Sequence, residues 1–213
     1  MAIINQGILG GVSGQIGNVI GGTWKGIDYL RIKPSSVANP KTEGQLDQRS
    51  KFATVLRFLQ PMSDFLRIGF KLYAIKMTEF NAAMSYNLFN GVVGAYPNYN
   101  IDYPNALVSR GNLKGVANGT ATSTTPAQID ISWDNNSSSG NALATDKSLI
   151  LVLNPDKKES IYTTSGPDRT AGSETLNLPA EYTGDVVEVY LGFVSADGTK
   201  VSNSTHLGSV TVA

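Results

Sequence analysis

A chain of 213 residues, 41% hydrophobic and 16% charged, is long enough for one large domain or two small ones. It has no cysteine, which excludes a disulfide framework, a thiolate nucleophile and a cysteine-built metal site; its single histidine, His206, excludes histidine-rich ones. A formal net charge of zero argues against nucleic acid or an anionic membrane as the main partner.

The chain opens on a strap with glycine at 7, 10, 11, 14, 17, 21, 22 and 26, threaded with Ile, Val and Leu and ending in Trp24-Lys25-Gly26. The strap is too apolar for a flexible linker and too rich in glycine to stabilise itself, because glycine loses the most backbone entropy and offers no side chain to pack. Such a segment orders by packing onto a partner or onto the rest of its own chain. The side chains it would bury there are Ile8, Leu9, Val12, Ile16, Val19, Ile20 and Trp24. From Asn18 the pattern predicts a hairpin that turns at Lys25-Gly26 and runs from Ile27 to Lys33 before Pro34. Leu30 and Ile32 would share one face, and Ile27, Tyr29 and Arg31 the other. A two-stranded ribbon is marginal alone, so it must pack on something, and Trp24 is expected to be buried against the first helix or a neighbouring subunit.

Thr42 followed by Gln45 is a capping-box signature for a helix from about Glu43 to Leu59, with an apolar stripe of Leu46, Phe52, Ala53, Leu56 and Leu59. Pro61 breaks it and opens a second helix that buries Phe65, Leu66 and Phe70. Thr78 caps a third, about Glu79 to Phe89, with Phe80, Met84 and Leu88 on one face and a stop at Asn90-Gly91. Residues 91–112 read as a joint rich in Tyr, Pro and Asn, in which Tyr96, Tyr99 and Tyr103 form an aromatic platform or pack the joint.

Beyond the joint helical periodicity disappears. Short β-patterned runs recur at 106–110, 116–122, 128–133, 148–154, 160–164, 174–178, 186–194 and 204–212, with turns such as Asn154-Pro155-Asp156 and Ala196-Asp197-Gly198 between them. This spacing predicts an antiparallel β-sandwich of immunoglobulin or fibronectin type, with Trp133, Leu149, Leu151, Leu153, Tyr190, Gly192 and Val194 in or near the core. The predicted class is α+β: a glycine-rich β-ribbon with two or three helices over residues 1–100, then a sandwich over 101–213. Charge divides the same way, with ten basic and five acidic residues in 1–100 against seven and twelve in 101–213.

No catalytic chemistry is written in the chain. The glycines match neither the phosphate-loop nor the dinucleotide fingerprint. His206 is expected as a lone exposed strand histidine, and Asp197-Gly198 as a hairpin turn. Asp130, Asp134 and Asp146 are a weak calcium candidate without EF-hand spacing. The sequence predicts no enzyme activity, no cofactor and no metal.

The run Gly7-Ile-Leu-Gly-Gly-Val-Ser-Gly-Gln-Ile-Gly-Asn-Val-Ile-Gly-Gly-Thr-Trp-Lys-Gly26, then Arg31, Pro34 and Thr42-Glu-Gly-Gln-Leu-Asp-Gln-Arg-Ser-Lys-Phe52, resembles a family of uncharacterised proteins of about this length from Bacteroidota, a domain of unknown function. The likeness extends to Val189-Tyr-Leu-Gly-Phe-Val-Ser-Ala-Asp-Gly198 and so covers nearly the whole chain. The segment Asn39-Pro-Lys-Thr with Gln45, Arg49 and Phe52 also resembles motifs of phage-encoded proteins. The resemblance implies a bacterial or phage origin, with the strap as the family's signature, and no catalytic residue.

The leading expectation is a non-enzymatic structural protein, phage- or cell-surface-related, that self-assembles into a filament, ring or particle through its strap. The alternative is a monomeric surface-binding module that recognises a glycan or protein through its β-sandwich. No signal peptide is visible and no run approaches about 18 apolar residues, so the chain is expected without a membrane span, in the cytoplasm or reaching a particle or extracellular assembly by a non-classical route.

Overall fold

The computed structural model describes residues 3–4, 10–24, 26–36, 39 and 41–213, the first pair as backbone only. Ile8, Leu9 and Lys25 lie outside the described residues. Contacts divide the chain into two units, Met1–Thr42 and Glu43–Ala213.

The first unit is an antiparallel meander of β1 (Ile3–Ile4), β2 (Val12–Ile16), β3 (Val19–Trp24) and β4 (Ile27–Ile32), in that spatial order. The strap is thus itself two strands that pair onto the expected hairpin. Two glycines have clear steric reasons. A Cβ on Gly21 would lie 2.0 Å from the carbonyl oxygen of Val12. Gly17, in the tight turn that joins Ile16 to its cross-strand partner Val19, holds φ +57°, a conformation that other residues rarely adopt. Among the described residues of this unit Gly21 alone is buried. A sheet of this size without a core of its own leaves its apolar side chains in water.

The second unit begins with α1 (Glu43–Leu59), α2 (Ser63–Gly69) and α3 (Glu79–Asn90), then a hairpin of β5 (Val92–Ala95) and β6 (Asn98–Ile101). Thr78 caps α3 as expected, its hydroxyl accepting from the Asn81 N–H at 3.2 Å. The α1 stripe is rotated from the expected one: Val55, Phe58 and Leu59 are buried, while Phe52 is 49% exposed. The tyrosine-rich joint is largely the β5–β6 hairpin.

Seven strands follow: β7 (Thr120–Thr122), β8 (Gln128–Ser132), β9 (Lys147–Asn154), β10 (Glu159–Thr163), β11 (Ser173–Asn177), β12 (Val186–Val194) and β13 (Thr205–Thr211). They make a three-stranded sheet, β11-β8-β7, and a four-stranded one, β10-β9-β12-β13, antiparallel throughout. The class is therefore mixed α and β with antiparallel sheets. The expected strand at 106–110 is absent. That segment is mostly buried, but its backbone bonds go elsewhere than to a neighbouring strand: the Arg110 N–H donates to the Gly69 carbonyl at the end of α2, and the Ser109 carbonyl accepts from the Ser204 N–H.

Two cores lie on opposite faces of the four-stranded sheet. Ile150, Val152, Val187, Val189, Leu191 and Phe193 join Ile129, Ile131 and Trp133 in one, which the three-stranded sheet shares. Leu149, Leu151, Leu153 and Tyr190 join Phe58, Leu59, Phe65 and Met84 in the other, which the helices share. The helices and the strands after them are thus one packed body, and the expected boundary at 100/101 has no counterpart. The division falls at 42/43 because the helices cover a sheet face that would otherwise be wet.

Candidate functional site

Two surfaces collect the side chains singled out by the sequence. The first is the sheet of unit one. Cross-strand partners share a face, so Ile20, Trp24, Ile27, Tyr29 and Arg31 lie on one side of it and Val19, Leu30 and Ile32 on the other. Pairing of Ile16 with Val19, and alternation back to Val12, adds those two to the second side. The expected interface residues are therefore split between two faces. Trp24 is 63% exposed, Ile16 53% and Val19 39%, with Val12 and Ile20 half-buried; within one copy Trp24 is not packed in a core.

Sequence reasoning placed β4 in a hairpin without giving it a role, yet it is exposed along its whole length. All six of its residues are exposed, Ile27 at 66%, Leu30 at 63% and Ile32 at 78%. Trp24, Ile27 and Tyr29 line a shallow groove of about 410 Å³. The signal was present: Ile27 to Ile32 has an apolar residue on each face, which a strand with one wet side avoids. Unit two also exposes large apolar side chains, Phe89 by 83% and Ile75 by 72%.

The second surface is a cleft of about 240 Å³ in unit two, between α1, β6 and the turn after β9. Tyr99 and Tyr103 line it together with Thr54, Phe58, Arg57 and Lys158. Two of the three expected platform tyrosines therefore meet, whereas Tyr96 sits in the hairpin turn, 41% exposed and outside the cleft. The Tyr99 hydroxyl donates to Asp47 Oδ1, and that bond holds its pKa above the ordinary 10.0. Burial, then the charges of Glu188 and Asp156, push the Tyr103 hydroxyl up as well. Both phenols stay protonated at neutral pH, and the one O–H of Tyr99 is already given to Asp47.

The remaining candidates are structural. His206 is not a lone exposed residue: its Nε2 lies 2.6 Å from Glu188 Oε2, with both side chains nearly buried. Ser209 donates to the same carboxylate at 2.9 Å. The serine hydroxyl gives its hydrogen to the acid and not to the imidazole, so the trio lacks the nucleophile–base bond of an acyl-transfer site. The three aspartates of the calcium candidate are each taken up separately. Asp130 accepts from Thr175 and Asp134 from Asn118, while Asp146 pairs with Arg169. Asp197 forms the expected turn, its carboxylate held by Ser195 and Thr199.

The fibronectin type III domain of human collagen alpha-1(XX) chain, a solution structure, is similar at 12% identity and a TM-score of 0.37, over 48% of this chain and 87% of that one. No curated protein matches the chain. Among the described residues no helix is long and apolar enough to cross a membrane. A family model matches residues 11–208, from the strap through β2, β3 and β4 into β13, and by that match the chain belongs to DUF6266, a family of unknown function.

Proposed function

We propose that this protein is a non-enzymatic structural protein whose copies associate through the N-terminal sheet into a filament, ring or particle, each copy carrying unit two as a fibronectin-type sandwich backed by helices. One observation carries the reading: a four-stranded sheet that buries no large side chain among its described residues and exposes Ile27, Leu30 and Ile32 by 63–78% each. Burying one such side chain fully is worth about 1.5–3 kcal/mol, so an unpartnered sheet of this kind strongly favours association. Phe89, exposed by 83% in unit two, offers a second contact, which growth beyond a dimer requires. Deleting residues 2–36 removes β1 to β4 and tests the reading. The truncated protein should keep the β signal of unit two in circular dichroism and lose every species larger than a monomer. Equal assembly of the truncated protein would contradict the proposal.

A second reading, a module that binds a glycan or protein through the sandwich side, rests on the convergence of Tyr99 and Tyr103 in one cleft beside Arg57. Tyr99→Ala and Tyr103→Ala should each abolish retention on a glycan or protein array if that reading holds. Unchanged retention would remove it.

A further inference from the structure

We propose that the elementary contact of the assembly is a two-fold, antiparallel pairing of β4 with β4 of a second copy, centred on Leu30. The inference rests on the assembly reading above and specifies its partner, geometry and register.

β4 is an edge strand, paired with β3 on one side only. The Lys33 N–H donates to the Asn18 carbonyl at 2.7 Å, in register with the β3–β4 ladder. Along an antiparallel strand backbone groups alternate between neighbours, so the odd residues from 27 to 33 bond to β3. Asp28, Leu30 and Ile32 then present their N–H and C=O groups outward, to an edge that no strand among the described residues pairs with. That edge is a template for another strand.

Symmetry and charge select the register. A two-fold axis that joins identical antiparallel strands in one sheet stands perpendicular to it and keeps each side chain on its own face. Odd residues therefore face odd residues, and even face even. Centring on Asp28 sets two carboxylates opposite each other, and centring on Arg31 sets two guanidinium groups opposite each other. Centring on Ile32 places Arg31 against Lys33. Like charges directly opposite are destabilising. Centring on Tyr29 carries the pairing into the turn at Gly26, whose φ is +85°. Centring on Leu30 uses the whole of Ile27 to Lys33 without a like-charge pair. Leu30 meets Leu30, Asp28 meets Ile32, and Ile27 meets the Lys33 stem. Tyr29 meets Arg31 on both sides of the axis, a cation–aromatic pair.

Because the chain contains no cysteine, single cysteines report the register cleanly. Opposed residues in a hydrogen-bonded antiparallel pair have Cα atoms about 5.5 Å apart, within the roughly 4.4–6.8 Å a disulfide spans. Diagonal neighbours lie about 7–8 Å apart, beyond it. Under mild oxidation Leu30→Cys should become a covalent dimer as its main species, while Tyr29→Cys and Ile32→Cys stay largely unlinked. Linking by Tyr29→Cys in place of Leu30→Cys, or equal linking by all three, overturns the proposed register. Light scattering on the unsubstituted protein separates the two levels of the argument. If it assembles and Leu30→Cys does not link, the β4 pairing is wrong and assembly stands. If it is a monomer throughout, both fall.

Discussion

Leu151 and Val152 are neighbours in β9 that face different cores, Leu151 packing with the helices and Val152 with the opposite sheet. One strand thus ties the two halves of unit two together. Leu151→Ala should cost about 2–5 kcal/mol, and Val152→Ala somewhat less, each by leaving a cavity. Each should lower the urea midpoint of the helix signal and of Trp133 fluorescence together, measured with Trp24 replaced by Phe. Separate transitions for helices and strands would mean that the cores are independent.

Arg169 and Asp146 form an ion pair with both side chains fully buried, 3.2 Å from Nη2 to Oδ2. The guanidinium also bonds the carbonyls of Lys114 and Gly115 and lies 3.7 Å above the Phe193 ring. Arg169→Met should destabilise unit two by about 3–5 kcal/mol in denaturant titration, because it strands a buried carboxylate. The double variant with Asp146→Leu should recover part of that loss. No recovery would show that the arginine acts through the carbonyls and the ring alone.

Asp197 has its pKa lowered from 3.8 to about 2, first by the Ser195 hydroxyl and then by Thr199. A carboxylate whose folded pKa is depressed adds stability above its unfolded value, and that stability is lost as pH falls toward the folded one. Asp197→Asn should therefore melt below the unsubstituted protein by a constant margin above about pH 4, and the margin should shrink between about pH 4 and pH 2. A margin that does not change over this range would rule out the carboxylate as its source.

Gly21→Ala places a methyl group where the Val12 carbonyl oxygen stands, 2.0 Å from the new Cβ. The β2–β3 pairing should open and assembly should weaken, while the unfolding midpoint of unit two is unchanged. Assembly at the original level would mean that the sheet tolerates the group by shifting and that its β2 side is not needed.

The strands from β8 onward and α3 were legible because their signals are local, whereas β5 and β6 were read as a joint and the run at 106–110 forms no strand. The Val186–Val194 strand matches residue for residue, and so does the Thr78 cap. Placement of the helices was not, since it depends on contacts across the sequence. A partial clue lay in Leu149-Ile-Leu-Val-Leu153, which does not alternate because both faces of β9 are covered. The pairing of His206 with Glu188 was hidden for a similar reason: the acid lies on the neighbouring strand, 18 residues away. Tyr99 was singled out by composition, but only the β6 register sets it beside α1 and separates it from Tyr96.

The most direct test is the molar mass in solution of the full chain beside Leu30→Lys/Ile32→Lys, measured by light scattering across a concentration series. Both substituted side chains are exposed, so the sheet should still form, with charges on the face and edge that a second copy would cover. The account predicts a multiple of the monomer mass for the unsubstituted chain and the monomer mass for the variant, with the same unfolding midpoint for unit two in both. A monomeric unsubstituted chain, or a variant that assembles equally well, would contradict it.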